Sequence, residues 1–304
     1  MSLQRMPILD ALMDGSFYTH EIDNYRGPIG PSFRDALKDA IRIKSPHGVA
    51  DGHLTSEKVP SPDEIGPQIL PFNSLWIERE APGIVIDGKF RKETVHVGHY
   101  VDVLTKTNSL RPNQSDYGYV TDTFYMFRKS IVRMRFVFLV ETDKDGLIKA
   151  SGPVPKMTDP LLASAGHAAA RALADARSGE YLHINLAPLL TIGLMNCRNV
   201  DVREVSRPAR RKGKGSRRKR IPQLSFNTIV LPNANPSGVE ACHPGRAGQF
   251  AQHKVRGHFK TFTKEKPLFG KLTGTYWWGW QVRGNAANGI NVNDYSLDGF
   301  EVPA

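Results

Sequence analysis

The chain has 304 residues, 40% hydrophobic and 9% aromatic, which excludes wholesale disorder and gives enough material for one large core or two ordinary ones. Its two cysteines, Cys197 and Cys242, form no CxxC pair, so a disulfide framework and a cysteine-based zinc site are both disfavoured and a reducing compartment is expected. The net charge of +11 is concentrated: residues 203–220 carry +9 and residues 246–283 carry +7, leaving −5 for the rest of the chain.

Taken in order, the first residues hold a short apolar patch interrupted by Asp10 and Asp14. They lack the roughly 7–15-residue apolar stretch of a signal peptide. No run approaches the roughly 18–20 apolar residues needed to cross a bilayer, so a soluble chain with no membrane contact is expected. Residues 1–74 read as an irregular N-terminal arm with one helix, capped by Ser32 and patterned by Phe33, Ala36, Leu37, Ala40 and Ile41. Residues 45–71, rich in Pro, Gly, Ser and Asp, read as a long loop.

Residues 75–206 read as an α+β core. Strands are expected at 84–90, turning at Asp87-Gly88, at 94–104, and at 131–140, with a hairpin turn at residues 143–146 leading back into 147–150. Arg133 and Arg135 would share one face of the 131–140 strand. A single helix is expected over 160–177, with Leu161, Leu162, Ala165, Ala168, Ala169, Ala172, Leu173 and Ala176 packing on the sheet. A short apolar helix and a strand through Val200 and Val202 should follow. Residues 207–220, RPARRKGKGSRRKR, form an exposed basic loop, and residues 221–304 a small β-rich, barrel-like module with strands at 223–231, 253–262 and 275–283.

The basic loop is the clearest functional signal. Its like charges repel one another, and a polyanion that neutralises them releases counterions. In the 253–262 strand, Lys254, Arg256, His258 and Lys260 alternate onto one face, a basic stripe of period two. Trp277, Trp278 and Trp280 follow, then Arg283. One of Trp277 and Trp278 can stack on a base, because neighbours on a strand point to opposite faces.

The order HxxRGHFK, PLFGK, GTYWW, VRG over 253–284, with Asn196-Cys197-Arg198-Asn199-Val200 before it, resembles the C-terminal part of a group of uncharacterised bacteriophage and mobile-element proteins. The resemblance implies a phage or prophage origin, hence the host cytoplasm or a virion as location, and brings no activity with it.

His253 and His258 could serve as the acid and base of a metal-independent ribonuclease, with Lys254, Arg256 and Lys260 on the developing charge. On a regular strand they face opposite ways, and only a bulge at Gly257 would join them. His96 and His99 have HxxH spacing but lie on a strand, which separates them. No P-loop, GxGxxG, GxSxG or HExxH motif occurs. No metal and no cofactor are expected.

The expected protein is therefore α+β, a mostly antiparallel sheet with one long helix plus the C-terminal module. Its expected activity is phosphate-driven, weakly sequence-specific binding of DNA or RNA through Arg210, Arg211, Lys212, Lys214, Arg217, Arg218, Lys219, Arg220, Lys254, Arg256, His258, Lys260, Trp277, Trp278 and Arg283. The alternatives are a virion structural or assembly protein set against genome or an acidic partner, and the ribonuclease.

Overall fold

The computed structural model describes residues 6–14, 18–19, 31–45, 62–81, 84–86, 89–91, 95–104, 117–127, 130–156, 160–205, 225–231, 251–255, 257–278, 281–283 and 285–291. In chain order the elements are α1 (Pro7–Asp14), β1 (Tyr18–Thr19), α2 (Pro31–Asp39), β2 (Ile41–Lys44), α3 (Pro62–Ile65), β3 (Ser74–Ala81), β4 (Ile84–Ile86), β5 (Lys89–Arg91), β6 (Val95–Val103) and β7 (Gly118–Phe127). Next come β8 (Ser130–Arg133), β9 (Phe136–Thr142), β10 (Ile148–Pro155), α4 (Pro160–Ala165), α5 (His167–Ala176), α6 (Ser178–Met195), β11 (Asp201–Val205) and β12 (Phe226–Val230). The C-terminal strands are β13 (Ala251–Val255), β14 (His258–Phe262), β15 (Gly274–Trp278), β16 (Gln281–Arg283) and β17 (Asn285–Asn291).

Ten strands form one mixed, mostly antiparallel sheet in the order β1-β8-β7-β6-β3-β2-β12-β11, with β9 paired along β7 and β10 along β9. The fold is α+β, as the sequence implies. β12 pairs with β2 and β11, so the strand at 226–230 belongs to this sheet rather than to a separate C-terminal module. β2 likewise lies in the sheet, and α1 is buried through Met6, Ile8, Leu9 and Leu12. Much of the expected arm is thus integral to the fold. The Asp10 that interrupts the apolar patch is half-buried, while its apolar neighbours fill the core.

Period-two alternation along β3 serves two cores. Leu75 and Ile77 join the large core with Val101, Tyr119, Phe138 and the residues of α6. Trp76 faces the other way, onto α1, Leu37 and Phe124. Gly98 on β6 makes room for it, since a Cβ there would lie 2.4 Å from the indole. Glu78, on the same face, is buried and accepts the first-turn N–H groups of α1, from Ile8 at 3.0 Å and Leu9 at 3.2 Å, and the Trp76 indole N–H at 3.0 Å. It serves as the N-terminal cap that α1 lacks locally, because Pro7 opens the helix without an N–H and leaves these donors to be satisfied from elsewhere.

The expected strand at 131–140 is interrupted at Met134–Arg135. The register against β7 moves by two residues, from Phe124↔Arg133 to Thr121↔Phe138, a bulge that separates β8 from β9. Arg133 donates to Asp122 Oδ2 through Nε at 2.8 Å and through Nη2. Lys156 reaches Asp122 Oδ1 at 2.6 Å and also donates to the Met134 carbonyl, which closes the bulge. Burial pushes the Asp122 carboxyl up, yet Lys156 and Arg133 outweigh it and hold the group below its ordinary range.

The helix expected over 160–177 is broken once and ends where expected. Gly166, with φ 82°, ends α4 and opens α5, and Arg177 separates α5 from α6. The break resets the helical phase. Ala170 and Ala174 are buried beside Leu162, whereas Ala168, Ala169, Ala172, Leu173 and Ala176 are exposed. The apolar helix after it is longer than the sequence suggests, with every residue from Asn185 to Leu194 buried. No helix among the described residues is long and apolar enough to cross a membrane.

Candidate nucleic-acid interface

The expected strand at 253–262 is two strands in two sheets. β13 pairs with β16 and β17, while β14 pairs only with β15, so Lys254 and His258 do not continue one stripe. At the boundary Gly257 is buried where a Cβ would stand 2.5 Å from the Trp277 indole, so only glycine fits there. His253 and His258 sit on strands of different sheets, with His253 opposite Arg283 and His258 opposite Trp278. The expected strand at 275–283 divides in the same way into β15 and β16. Arg256 and the loop residues Arg210, Arg211, Lys212, Lys214, Arg217, Arg218, Lys219 and Arg220 lie outside the described residues. No closed barrel occurs among the described strands.

β14 and β15 make a two-stranded ribbon with a buried and an open side. On the buried side Phe259 and Trp277 join the large core, their rings 4.8 Å apart. Phe259 fills a slot made by two glycines. A Cβ at Gly66 would lie 2.9 Å from its ring, and one at Gly193 3.2 Å from the ring and 2.1 Å from the Ile65 carbonyl oxygen. Of the two tryptophans considered for stacking, Trp277 is therefore a core residue.

The segment after α6 fastens the other edge of the ribbon. The Arg198 N–H donates to the Thr275 carbonyl at 2.9 Å. The Asn199 amide donates to the Trp277 carbonyl and its oxygen accepts the Trp277 N–H, both at 2.8 Å. Asn196 donates to the carbonyls of Pro67, Ile69 and Ile192. Cys197 is buried between them, and burial pushes its thiol up to about 12, which makes it a packing group and not a nucleophile. These asparagines carry the positioning of the site. The resemblance marked the segment, but no spacing rule announced its task.

On the open side His258, Lys260 and Phe262 of β14 stand across from Trp278, Tyr276 and Gly274 of β15. Phe262, Tyr276 and Trp278 form a ring cluster with centroids 5.7–6.4 Å apart. The exposed Lys260 lies over it, its ammonium 5.2 Å from Phe262 and 5.7 Å from Trp278. Arg198 lies along Gly274, where a Cβ would meet its Nε at 2.5 Å. The open side thus presents one exposed cation, Lys260, over π-faces, with a second, Arg198, at the Gly274 end of the ribbon. No group of three or more His, Cys, Asp or Glu side chains comes together among the described residues. His99 is fully buried, its Nδ1 3.1 Å from Thr123 Oγ1, apart from the half-buried His96.

Compared with models of protein families, with curated proteins and with solved structures, the chain has no match.

Proposed function

We propose that this chain binds nucleic acid, with the open side of the β14–β15 ribbon as its docking face and the basic loop at 207–220 as a second, electrostatic contact. The observation that carries this reading is the seat of Lys260 over Phe262 and Trp278. An ammonium takes a phosphate, and a ring cluster takes the face of a base, so one small surface meets both parts of a nucleotide. Phe259 and Trp277 hold the ribbon from its inner side, which leaves Lys260 exposed on the outer side, with Phe262 and Trp278 half-buried beneath it. Phosphate contacts and stacking do not discriminate bases well, and weak sequence preference follows. In this reading the part of the expected 221–304 module that lies outside the main sheet, from β13 on, acts as the barrel-like binding unit, and the chain belongs to a phage or mobile element.

The test is a mobility-shift titration across a salt series with the intact chain and with residues 207–220 deleted. Affinity should fall by orders of magnitude between about 50 and 200 mM salt, and the deletion should weaken binding and flatten that dependence. Binding that ignores salt would exclude the proposal.

A further inference from the structure

The loop joining β14 to β15 ends in a turn that sequence rules would not have placed there. The Leu268 and Leu272 backbones pair with each other, with N···O distances of 2.7 and 2.9 Å, and the Lys271 N–H closes on the Leu268 carbonyl at 3.2 Å. Phe269 and Gly270 are the central residues, with φ of 52° and 72°. Two successive positive φ values are the mark of tight hairpin turns that favour Asn-Gly, because a side chain with a Cβ is strained there. Phenylalanine has neither the short polar side chain nor the missing Cβ that would ease this conformation.

Burial does not offset the strain. Phe269 is 86% exposed, the most exposed of the large hydrophobic side chains among the described residues, and Leu272 beside it is 47% exposed. Around the turn Lys264, Lys266 and Lys271 are exposed, against the single acid Glu265. An apolar side chain held out by a strained backbone at the tip of a hairpin whose loop also exposes three lysines is suited to a polyanion that also offers apolar surface. Strained backbone of this kind gathers at functional sites.

We propose that Phe269 is a wedge that inserts between neighbouring bases of the bound strand and opens one stack, with the three lysines holding the flanking phosphates. This rests on the reading of the ribbon as a nucleic-acid face and adds to it a mechanical action on the ligand. Apolar wedges that part a base step while cations hold the backbone are a known solution to this task.

The test uses the full chain and an oligonucleotide carrying 2-aminopurine at successive positions, whose fluorescence rises when the base unstacks. The wild-type chain should raise the signal at one position at saturation. Phe269→Ala should abolish the rise and weaken binding about tenfold without changing its salt dependence, since no charge is lost. Phe269→Tyr, which keeps a ring, should restore both. A signal in Phe269→Ala equal to that of the wild type, with binding intact, would overturn the wedge and leave the ribbon reading standing. A change in self-association with no change in the probe would also overturn it, by making the turn a protein contact. Absence of oligonucleotide binding by the wild-type chain would overturn both readings.

Discussion

Asn199 clasps Trp277 by both of its backbone polar groups, amide to carbonyl and carbonyl to N–H, each at 2.8 Å. A side-chain amide here completes a β-ladder on an edge that no described strand occupies. Asn199→Ala should cost about 1–3 kcal/mol, since it leaves two part-buried backbone groups unpaired. The Trp277 amide should exchange faster with solvent, and binding should weaken although Asn199 is assigned no ligand contact. Unchanged exchange and an unchanged urea midpoint would remove this role.

Phe259 depends on the absence of two side chains. Gly193→Ala would set a Cβ 2.1 Å from the Ile65 carbonyl oxygen, a backbone atom that cannot swing away as a side-chain end can. The ribbon or α6 must shift, at about 1–3 kcal/mol or more, read as a drop in the unfolding midpoint. Gly179→Ala is the control. It lies in the exposed first turn of α6 with nothing within 4 Å of its added Cβ, and its stability should hold or rise slightly.

Glu78 couples the seating of α1 to pH. Burial pushes its carboxyl up to about 7 from 4.5, against the lowering effect of its three N–H donors, and Asp10 raises it further. Between these values the folded chain holds a proton that the unfolded chain has lost. This group therefore makes stability fall as pH rises through that window, by about 3 kcal/mol in all. His99, lowered well below 6.5 by burial and by Arg79, has the opposite slope in part of the same range. The quantity to measure is thus the difference between the wild type and Glu78→Gln in denaturant unfolding at each pH. That difference should change across pH 4.5–7 and be flat on either side, and a difference flat throughout would refute the assignment.

Legibility tracked how local the cause of each feature was. The α+β class, the antiparallel pairing of Ile84–Ile86 with Lys89–Arg91, the Asp143–Gly146 turn and the opposite facing of Trp277 and Trp278 follow from alternation and turn chemistry within a few residues. The division of the 253–262 strand was not readable, because it lies in which distant strands each half pairs with, β16 and β17 for β13 and β15 for β14. Glu78 was missed for the same reason: a carboxylate in an apolar strand signals an unmet charge, but two of its three donors lie about 70 residues earlier. Of the basic stripe, His258 and Lys260 remain together, and their companions are the rings of β15 rather than Lys254.

Lys260 and Trp278 should separate cleanly in binding measurements, since one supplies charge and the other area. Lys260→Ala should flatten the dependence of log affinity on log salt by about 0.7–0.9, the share of one phosphate contact. Trp278→Ala should leave that slope alone and lower affinity by about 1–3 kcal/mol, the share of one stacked base. Equal slopes in the two variants would mean that Lys260 serves the ring cluster and not the ligand.

Phe269 offers a trade between stability and action. Asparagine tolerates the left-handed conformation that strains Phe269, whose φ is 52°, so Phe269→Asn should relieve the turn and stabilise the chain by about 1 kcal/mol. Little is lost in return, because an 86%-exposed ring contributes almost no burial. The same variant should lose the unstacking signal, as Phe269→Ala does. A higher unfolding midpoint with a silent probe is the result expected of a residue retained for what it does to a ligand. If the midpoint falls instead, the ring is supporting the hairpin, and its exposure has been given the wrong meaning.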